Sequence, residues 1–447
     1  MTKRTLSFFV FALSIIFVVS ACKSNPSGSD DGEYSQVNNW VLANMDFYYF
    51  WNELVPEEAD GNQQPEDFFT GMLEPNDAFS YISDDAETLL DELNGSSFTA
   101  GFSPAFGLFS GTENVFIIVE FVYPNTPAAA AGIERGDIII RINDQDLTTD
   151  NYLDLYYDDS SAKYTFGIYN VEENSISEGG SVTVNKAELS LDPVVYTDII
   201  EDSGHKIGYI FYSRFINGEN DQFIQAVDNV LADFENQGVT ELIVDLRYNP
   251  GGTIDAAENL ANSIAPQSVT TNEEVFVQYE YNETLEQYYI DNEGLDSPNL
   301  ISRFSEDPTN LNLDRVYFLG TSSSASASEL LINGLRPYMD VVLVGTPTFG
   351  KFYGSYVLTG LNSNPPNNYA IVPVVLKYAN AVGFSDFGDG LAPDHVVEED
   401  LFQSKPLGDP TDELLSKALE LITGTQTPPR KNDTKYSFYK IGRSNKV

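Results

Sequence analysis

Gly320-Thr-Ser-Ser-Ser-Ala-Ser-Ala-Ser-Glu329 runs into the apolar Leu330-Leu331-Ile332. A second apolar run at Val341-Val342-Leu343-Val344 then leads to Thr348-Phe349-Gly350-Lys351. Arg315 to Leu319 before this stretch has the composition of a buried strand, so the order is strand, small-residue loop, helix, strand. Ser326 then stands at a helix N-terminus, where the dipole and free N–H groups favour a developing negative charge. A serine hydroxyl is a weak nucleophile until a base takes its proton. The chain has two histidines. His205 lies in a charged Asp-Ser-Gly-His-Lys turn and His395 follows Pro393-Asp394; neither sits in a hydrolase signature. A neutral lysine does the same work when burial lowers its pKa from about 10.4, and Phe349 and Phe352 flank Lys351. Taken alone, Ser326-x-x-Glu329 also fits a capping box on an ordinary Ser/Ala loop.

Working outward, Leu242 to Leu246 reads as a buried strand that enters Asp245-Leu-Arg-Tyr-Asn-Pro-Gly-Gly252. A glycine pair after a strand exposes backbone N–H groups, because no Cβ blocks the approach. Phe223, Ala226, Val227, Val230, Leu231 and Phe234 form a helical stripe that Gly238 ends, and Ala256, Leu260 and Ile264 mark the next helix. Strand and helix alternation of this kind predicts a largely parallel sheet. Upstream, Val122-Tyr-Pro-Asn-Thr-Pro-Ala-Ala-Ala-Ala-Gly-Ile-Glu-Arg-Gly-Asp-Ile-Ile-Ile-Arg-Ile-Asn143 is similar to the signature of PDZ domains. The resemblance makes Phe106-Gly107-Leu108-Phe109 the carboxylate loop, with Gly107, Leu108 and Phe109 as peptide-binding residues. A peptide C-terminus would there add a strand to the sheet edge.

Three segments in order, Asp245 to Gly252, Ser324 to Glu329 and Thr348 to Lys351, resemble the C-terminal processing (tail-specific) serine proteases. The resemblance implies a ClpP/crotonase-like α/β protease core with an inserted PDZ domain and a small N-terminal helical domain. It implies Ser326 as nucleophile, Lys351 as base at a spacing of 25 residues, and an oxyanion hole of the Gly252 and Ala327 N–H groups, with Gly251 as the neighbouring option. Two departures from the family pattern stand out. The polar residue that orients the lysine is absent from both usual positions, which hold Ser355 and Pro337 here; Ser355 is the remaining candidate for that role. Phe352 replaces a frequent glycine.

The 447 residues allow two to three domains. The formal net charge of −45 repels phosphate backbones, so a nucleic-acid partner is not expected. An aromatic content of 13% argues for a folded chain despite that charge. Lys3 and Arg4 followed by an apolar run from Leu6 to Val19 read as a secretory signal. Val19-Ser20-Ala21-Cys22 resembles a lipoprotein processing box, with Cys22, the single cysteine, as the lipidation site. The absence of aspartate after it points by the same resemblance to the outer membrane. A lone lipidated cysteine leaves no disulfide framework and no thiolate metal site; no metal and no cofactor are expected.

The expected organisation is a signal peptide over 1–21, a tether over 22–33, an N-terminal helical domain over 34–98, a PDZ domain over 99–190, the protease core over 191–424 and a flexible tail over 425–447. In the N-terminal domain Val37, Trp40, Val41, Met45, Tyr48 and Trp51 share a helical face, with further helices at Glu66–Met72 and Glu87–Leu93. The function expected is a Ser-Lys endopeptidase of the cell envelope acting on proteins or peptides with free C-termini. The alternative is a peptide-tail-binding lipoprotein with weak or lost activity.

Overall fold

The computed structural model describes residues 32–109, 111–157, 160–170, 172, 175–425 and 438–440. The leader, Cys22 and the tether expected up to residue 31 lie outside the described residues. The core is a six-stranded sheet in the order Val194–Asp202, His205–Tyr212, Glu241–Asp245, Arg315–Gly320, Asp340–Gly345, His395–Val396. The first two strands form an antiparallel pair and the others run parallel. Parallel neighbours need crossovers, and the helices Gln222–Gln237, Ile254–Ile264 and Ala327–Leu335 supply three of them. Phe223, Val227, Leu231 and Phe234 are the buried face of the first, which Gly238 ends in the left-handed conformation at φ 74°. Every residue of Ala327–Leu335 is buried. A helix covered on all sides belongs inside a domain, so the element that carries Ser326 at its start is clamped within the core. On the other face of the sheet, Leu414, Leu415, Ala418 and Ile422 of Glu413–Thr423 pack on Tyr209, Ile243, Tyr317 and Leu319.

A second sheet of four strands is built from Ile301–Arg303, Val275–Tyr281, Val374–Asn380 and Tyr353–Ser355. Helices Ser35–Tyr48, Pro65–Gly71 and Ala86–Leu93 form the N-terminal domain. Trp51 lies beyond the first helix, because the chain turns extended at Tyr49. This domain is stitched into the core: Tyr81–Ser83 pairs with Ala370–Val372, and Val41, Met45, Tyr49, Phe68 and Phe69 pack with Ile371 and Val374.

The PDZ domain joins Phe102–Phe109, Val115–Val122, Ile138–Ile142, Ser161–Asn170 and Ser175–Asn185 in one antiparallel sheet with its own apolar core. The chain enters and leaves it through the paired strands Ser96–Thr99 and Ala187–Ser190. The edge of this sheet is Phe102–Phe109, and Phe438–Lys440 lies along it antiparallel, with Phe438 opposite Phe109 and Lys440 opposite Gly107. Part of the segment expected as a flexible tail is therefore a strand, set against the residues expected to bind peptide.

Arg247, from the glycine-loop motif, anchors a buried charge network. Its guanidinium donates to both oxygens of Asp412 at 2.8 Å, to both of Asp245 at 3.0 Å and to Glu399 at 2.8 Å. Arg135, from the PDZ domain, pairs with Glu399 and donates to the Tyr248 hydroxyl at 2.8 Å. Burial alone would raise the Glu399 and Asp412 carboxyls, but the two guanidinium groups outweigh it and hold both below the usual carboxylate range. Their contribution to stability is complete above the unfolded pKa of about 4 and is lost as pH falls through the lower folded values. Arg247→Met removes the guanidinium shared by three buried carboxylates, leaving Asp245 and Asp412 without their closest cation, and should cost about 3–5 kcal/mol in urea unfolding at neutral pH; a loss below about 1 kcal/mol would contradict this network.

Candidate active site

The site is assembled from three loops at the ends of the parallel strands. After Glu241–Asp245 the chain makes the Asn249-Pro250-Gly251-Gly252 turn. Asn249 is fully buried; its Nδ2 donates to the Tyr212 carbonyl at 2.9 Å and its Oδ1 accepts the Gly251 N–H at 2.8 Å. Its own carbonyl accepts the Ala325 N–H at 3.1 Å and the Ser328 hydroxyl at 3.0 Å. The buried Ser324 hydroxyl adds a bond to the Leu246 carbonyl at 2.7 Å. These bonds hold the glycine loop against the Ser326 loop. The fit leaves no room for side chains: a Cβ on Gly251, at φ 98°, would lie 2.7 Å from Ser326 Cβ and 2.8 Å from the Ala327 nitrogen.

Ser326 has φ 55° and ψ −113°. For a residue with a Cβ this is a costly conformation, kept only where the surroundings enforce it. The enforcing group is Glu329, which is fully buried. Its Oε2 accepts the Ser326 N–H at 2.9 Å and the Lys351 N–H at 2.9 Å. Its Oε1 accepts the Thr348 hydroxyl and the Gly350 N–H, both at 2.6 Å. Burial pushes the Glu329 carboxyl up, and these four bonds oppose that shift. One carboxylate thus fixes the serine turn and the lysine loop together. Tyr378, a buried residue of Val374–Asn380, lies with its hydroxyl 3.2 Å from the Ser326 carbonyl and 3.3 Å from the Lys351 carbonyl.

Ser326 and Lys351 are brought together by shared anchors, and among the described residues no hydrogen bond yet joins Ser326 Oγ to Lys351 Nζ. Resting catalytic contacts are often longer than those made with substrate. Burial lowers the Lys351 pKa, opposed by the charges of Asp77 and Glu329. Of the flanking pair suggested by the sequence, Phe349 is 52% exposed and its ring meets Phe79 edge-on, while the Phe352 ring stacks on Tyr353. The ring facing Lys351 Nζ, with its centroid 5.4 Å away, is Phe79 of the N-terminal domain.

Ala327 opens its helix without a partner for its N–H among the described residues, and the Gly252 N–H is likewise free while the Gly251 N–H is spent on Asn249. This distinguishes Gly252 from its neighbour as a candidate oxyanion donor. Ser355 does not reach the lysine: its Oγ is buried without a hydrogen-bond partner. His205 begins a core strand and His395 pairs with Val344, in different parts of the sheet. Gly107, Leu108 and Phe109 line the PDZ edge now taken by Phe438–Lys440. Glu329 was visible in the sequence as the last residue of a capping box. Asn249 lies within the Asp245 to Gly252 motif, which gave no sign of its bracing role, and nothing local marked Tyr378 or Phe79.

Glu329→Gln replaces one acceptor oxygen by a donor facing two donors. It should destabilise the chain by about 2 kcal/mol or more and slow the reaction of Ser326 with a fluorophosphonate; unchanged urea midpoint and labelling rate would refute the shared-anchor geometry.

Residues 206–397 match Peptidase family S41, residues 36–81 the Peptidase S41 N-terminal domain and residues 118–157 a PDZ domain. The carboxyl-terminal-processing protease of Picosynechococcus sp. is 26% identical over 333 residues, 73% of this chain and 72% of that one. The carboxy-terminal processing protease CtpB of Bacillus subtilis is 24% identical over 304 residues, covering 67% of this chain and only 56% of its own length. The crystal structure of a putative S41 protease from Bacteroides fragilis superposes with a TM-score of 0.71 at 26% identity, covering 86% of this chain and 97% of that one. The photosystem II D1 C-terminal processing protease shares the fold, with a TM-score of 0.51 at 18% identity over 82% of this chain and 93% of that one. The chain is therefore similar to peptidase family S41 across its core, to that family's N-terminal domain over residues 36–81 and to PDZ domains over residues 118–157.

Proposed function

We propose that this protein is a serine endopeptidase that cleaves proteins or peptides presented by their C-terminal ends, with a Ser326–Lys351 dyad. The observation that carries this reading is the single Glu329 carboxylate bonded to the backbones of both residues, beside two unused N–H groups. Neutral Lys351 takes the proton of Ser326 as Oγ attacks the scissile carbonyl. The oxyanion is stabilised by the Gly252 and Ala327 N–H groups, with each such donor worth about 3 kcal/mol. Lys351 then returns the proton to the leaving amine and the peptide bond breaks. Water hydrolyses the acyl-enzyme by the same base in a second round. No step requires a cofactor.

Peptide tails are proposed to enter along Phe102–Phe109 by strand addition. Because Phe438–Lys440 occupies that edge, an incoming peptide must displace the chain's own strand. A second reading, capture of peptide tails with little cleavage, is favoured by the absent Ser326–Lys351 hydrogen bond and by the idle Ser355. The envelope location, through a lipid on Cys22 in an outer membrane, is part of the same proposal. It rests on the apolar leader and the residues before Cys22. Cys22→Ala should abolish incorporation of labelled palmitate and release the protein from membranes; undiminished labelling would remove the anchor.

Ser326→Ala should abolish cleavage of an unfolded protein substrate with the fold intact, and Lys351→Ala should lower it by about 10²–10⁴-fold. Since the reactive lysine is the neutral form, kcat/KM should fall as pH drops through its folded pKa. That midpoint should lie below the ordinary value of about 10.4, because burial lowers it. Cleavage retained in Ser326→Ala would reject the dyad, and full peptide binding with no fluorophosphonate labelling of the wild type would favour the second reading.

A further inference from the structure

Among the described residues no hydrogen bond or ion pair from the core reaches Lys351 Nζ, while Phe79 in the turn Glu74 to Ser80 of the N-terminal domain faces it. Asp77 is held there by four donors. Its Oδ1 accepts the N–H groups of Phe79 at 2.9 Å and Ser80 at 3.0 Å, and its Oδ2 accepts the hydroxyls of Tyr49 at 2.9 Å and Ser80 at 2.5 Å. The turn is itself fixed to the core. The Ser80 hydroxyl accepts the Val374 N–H at 2.8 Å, and the Phe50 N–H donates to the Val374 carbonyl at 2.9 Å. Val374 begins the strand that carries Tyr378, whose hydroxyl reaches the carbonyls of both Ser326 and Lys351. From this rigid mount the Phe79 ring faces Lys351 Nζ, and the charges of Asp77 and Glu329 oppose the burial that lowers its pKa, with no salt bridge closed to Lys351 among the described residues.

We propose that Asp77 and Phe79 complete the site as positioning residues for Lys351. In this view the N-terminal domain supplies in space what the core lacks in sequence. The inference rests on the dyad reading above. A cation attracted to an aromatic face and to a carboxylate beyond contact distance is aimed without being locked into an ion pair. The amine stays able to shed its proton to solvent and to turn toward Ser326. Asp77 also opposes the burial that lowers the lysine's basicity, so that Lys351 remains a competent base instead of a permanently neutral amine. The other polar groups around Lys351 are Glu329 on the Ser326 helix and the Tyr378 hydroxyl on the neighbouring strand. Beyond Phe352 lies Lys377, which is paired with Asp386 at 2.8 Å. None of these comes from the N-terminal domain.

The test is the pH dependence of fluorophosphonate labelling of Ser326 in the full chain, for the wild type, Asp77→Asn, Phe79→Leu and Lys351→Ala. Removing the Asp77 charge lowers the Lys351 pKa, so in Asp77→Asn the acid limb should move to lower pH by about one unit, with a reduced plateau rate. Phe79→Leu keeps the apolar cover and loses the ring; it should shift the limb in the same direction by less. It also decides the matter if Asp77→Asn fails to fold. A wild-type limb in both folded variants, with labelling lost in Lys351→Ala, would overturn the positioning role and leave the dyad standing. Wild-type labelling in Lys351→Ala would overturn the dyad and this inference with it.

Discussion

One buried carboxylate organises the site. Glu329 accepts hydrogen bonds from Ser326, Thr348, Gly350 and Lys351, residues that approach from two separate loops. An unpaired carboxylate at zero exposure would be prohibitively desolvated, so the loops must close around it. Their closure compensates the strained backbone at Ser326 and sets the register between the serine turn and the lysine. Everything else at the site adjusts to that constraint. Asn249 ties the glycine loop to the same turn, and the fully buried helix Ala327–Leu335 keeps the turn from rotating.

The wider architecture distributes buried polarity in the same manner. Arg247 leaves the strand that leads into the glycine loop and meets Asp245, Glu399 and Asp412, while Arg135 brings the PDZ domain to the same Glu399. The PDZ domain, the glycine loop and the segment before the last core helix therefore share one cluster of charges. The N-terminal domain is joined through strand pairing and a packed apolar seam at Ile371 and Val374. Lys351 lies where this domain meets the core, and its surroundings belong to both.

Much of this was legible from local patterns. Strand and helix alternation between Ile207 and Val344 reported a parallel sheet because burial on both faces leaves near-continuous apolar runs. The glycine pair and the Ser/Ala loop were readable because tight approach admits only small side chains. What the sequence hid was set by contacts across hundreds of residues. Phe79 covers a lysine 272 positions later in the chain, and no periodicity carries such information. The flanking Phe349 and Phe352 were nearer in sequence, and their rings pack on Phe79 and Tyr353. Ser355 was nominated by its offset from Lys351, yet it lies in a strand bonded to Val374–Asn380, where its hydroxyl meets no partner. The Phe438–Lys440 strand was similarly unreadable, since three residues on a sheet edge carry no pattern of their own.

Catalysis as proposed needs two backbone donors and one lysine amine to meet at Ser326. A crystal structure of the Ser326 fluorophosphonate adduct tests it most directly. The phosphonyl oxygen should lie about 2.7–3.1 Å from both the Gly252 and Ala327 nitrogens, with Lys351 Nζ within about 3.2 Å of Ser326 Oγ. An adduct whose oxygen faces solvent, with Lys351 turned away from Ser326, would contradict it.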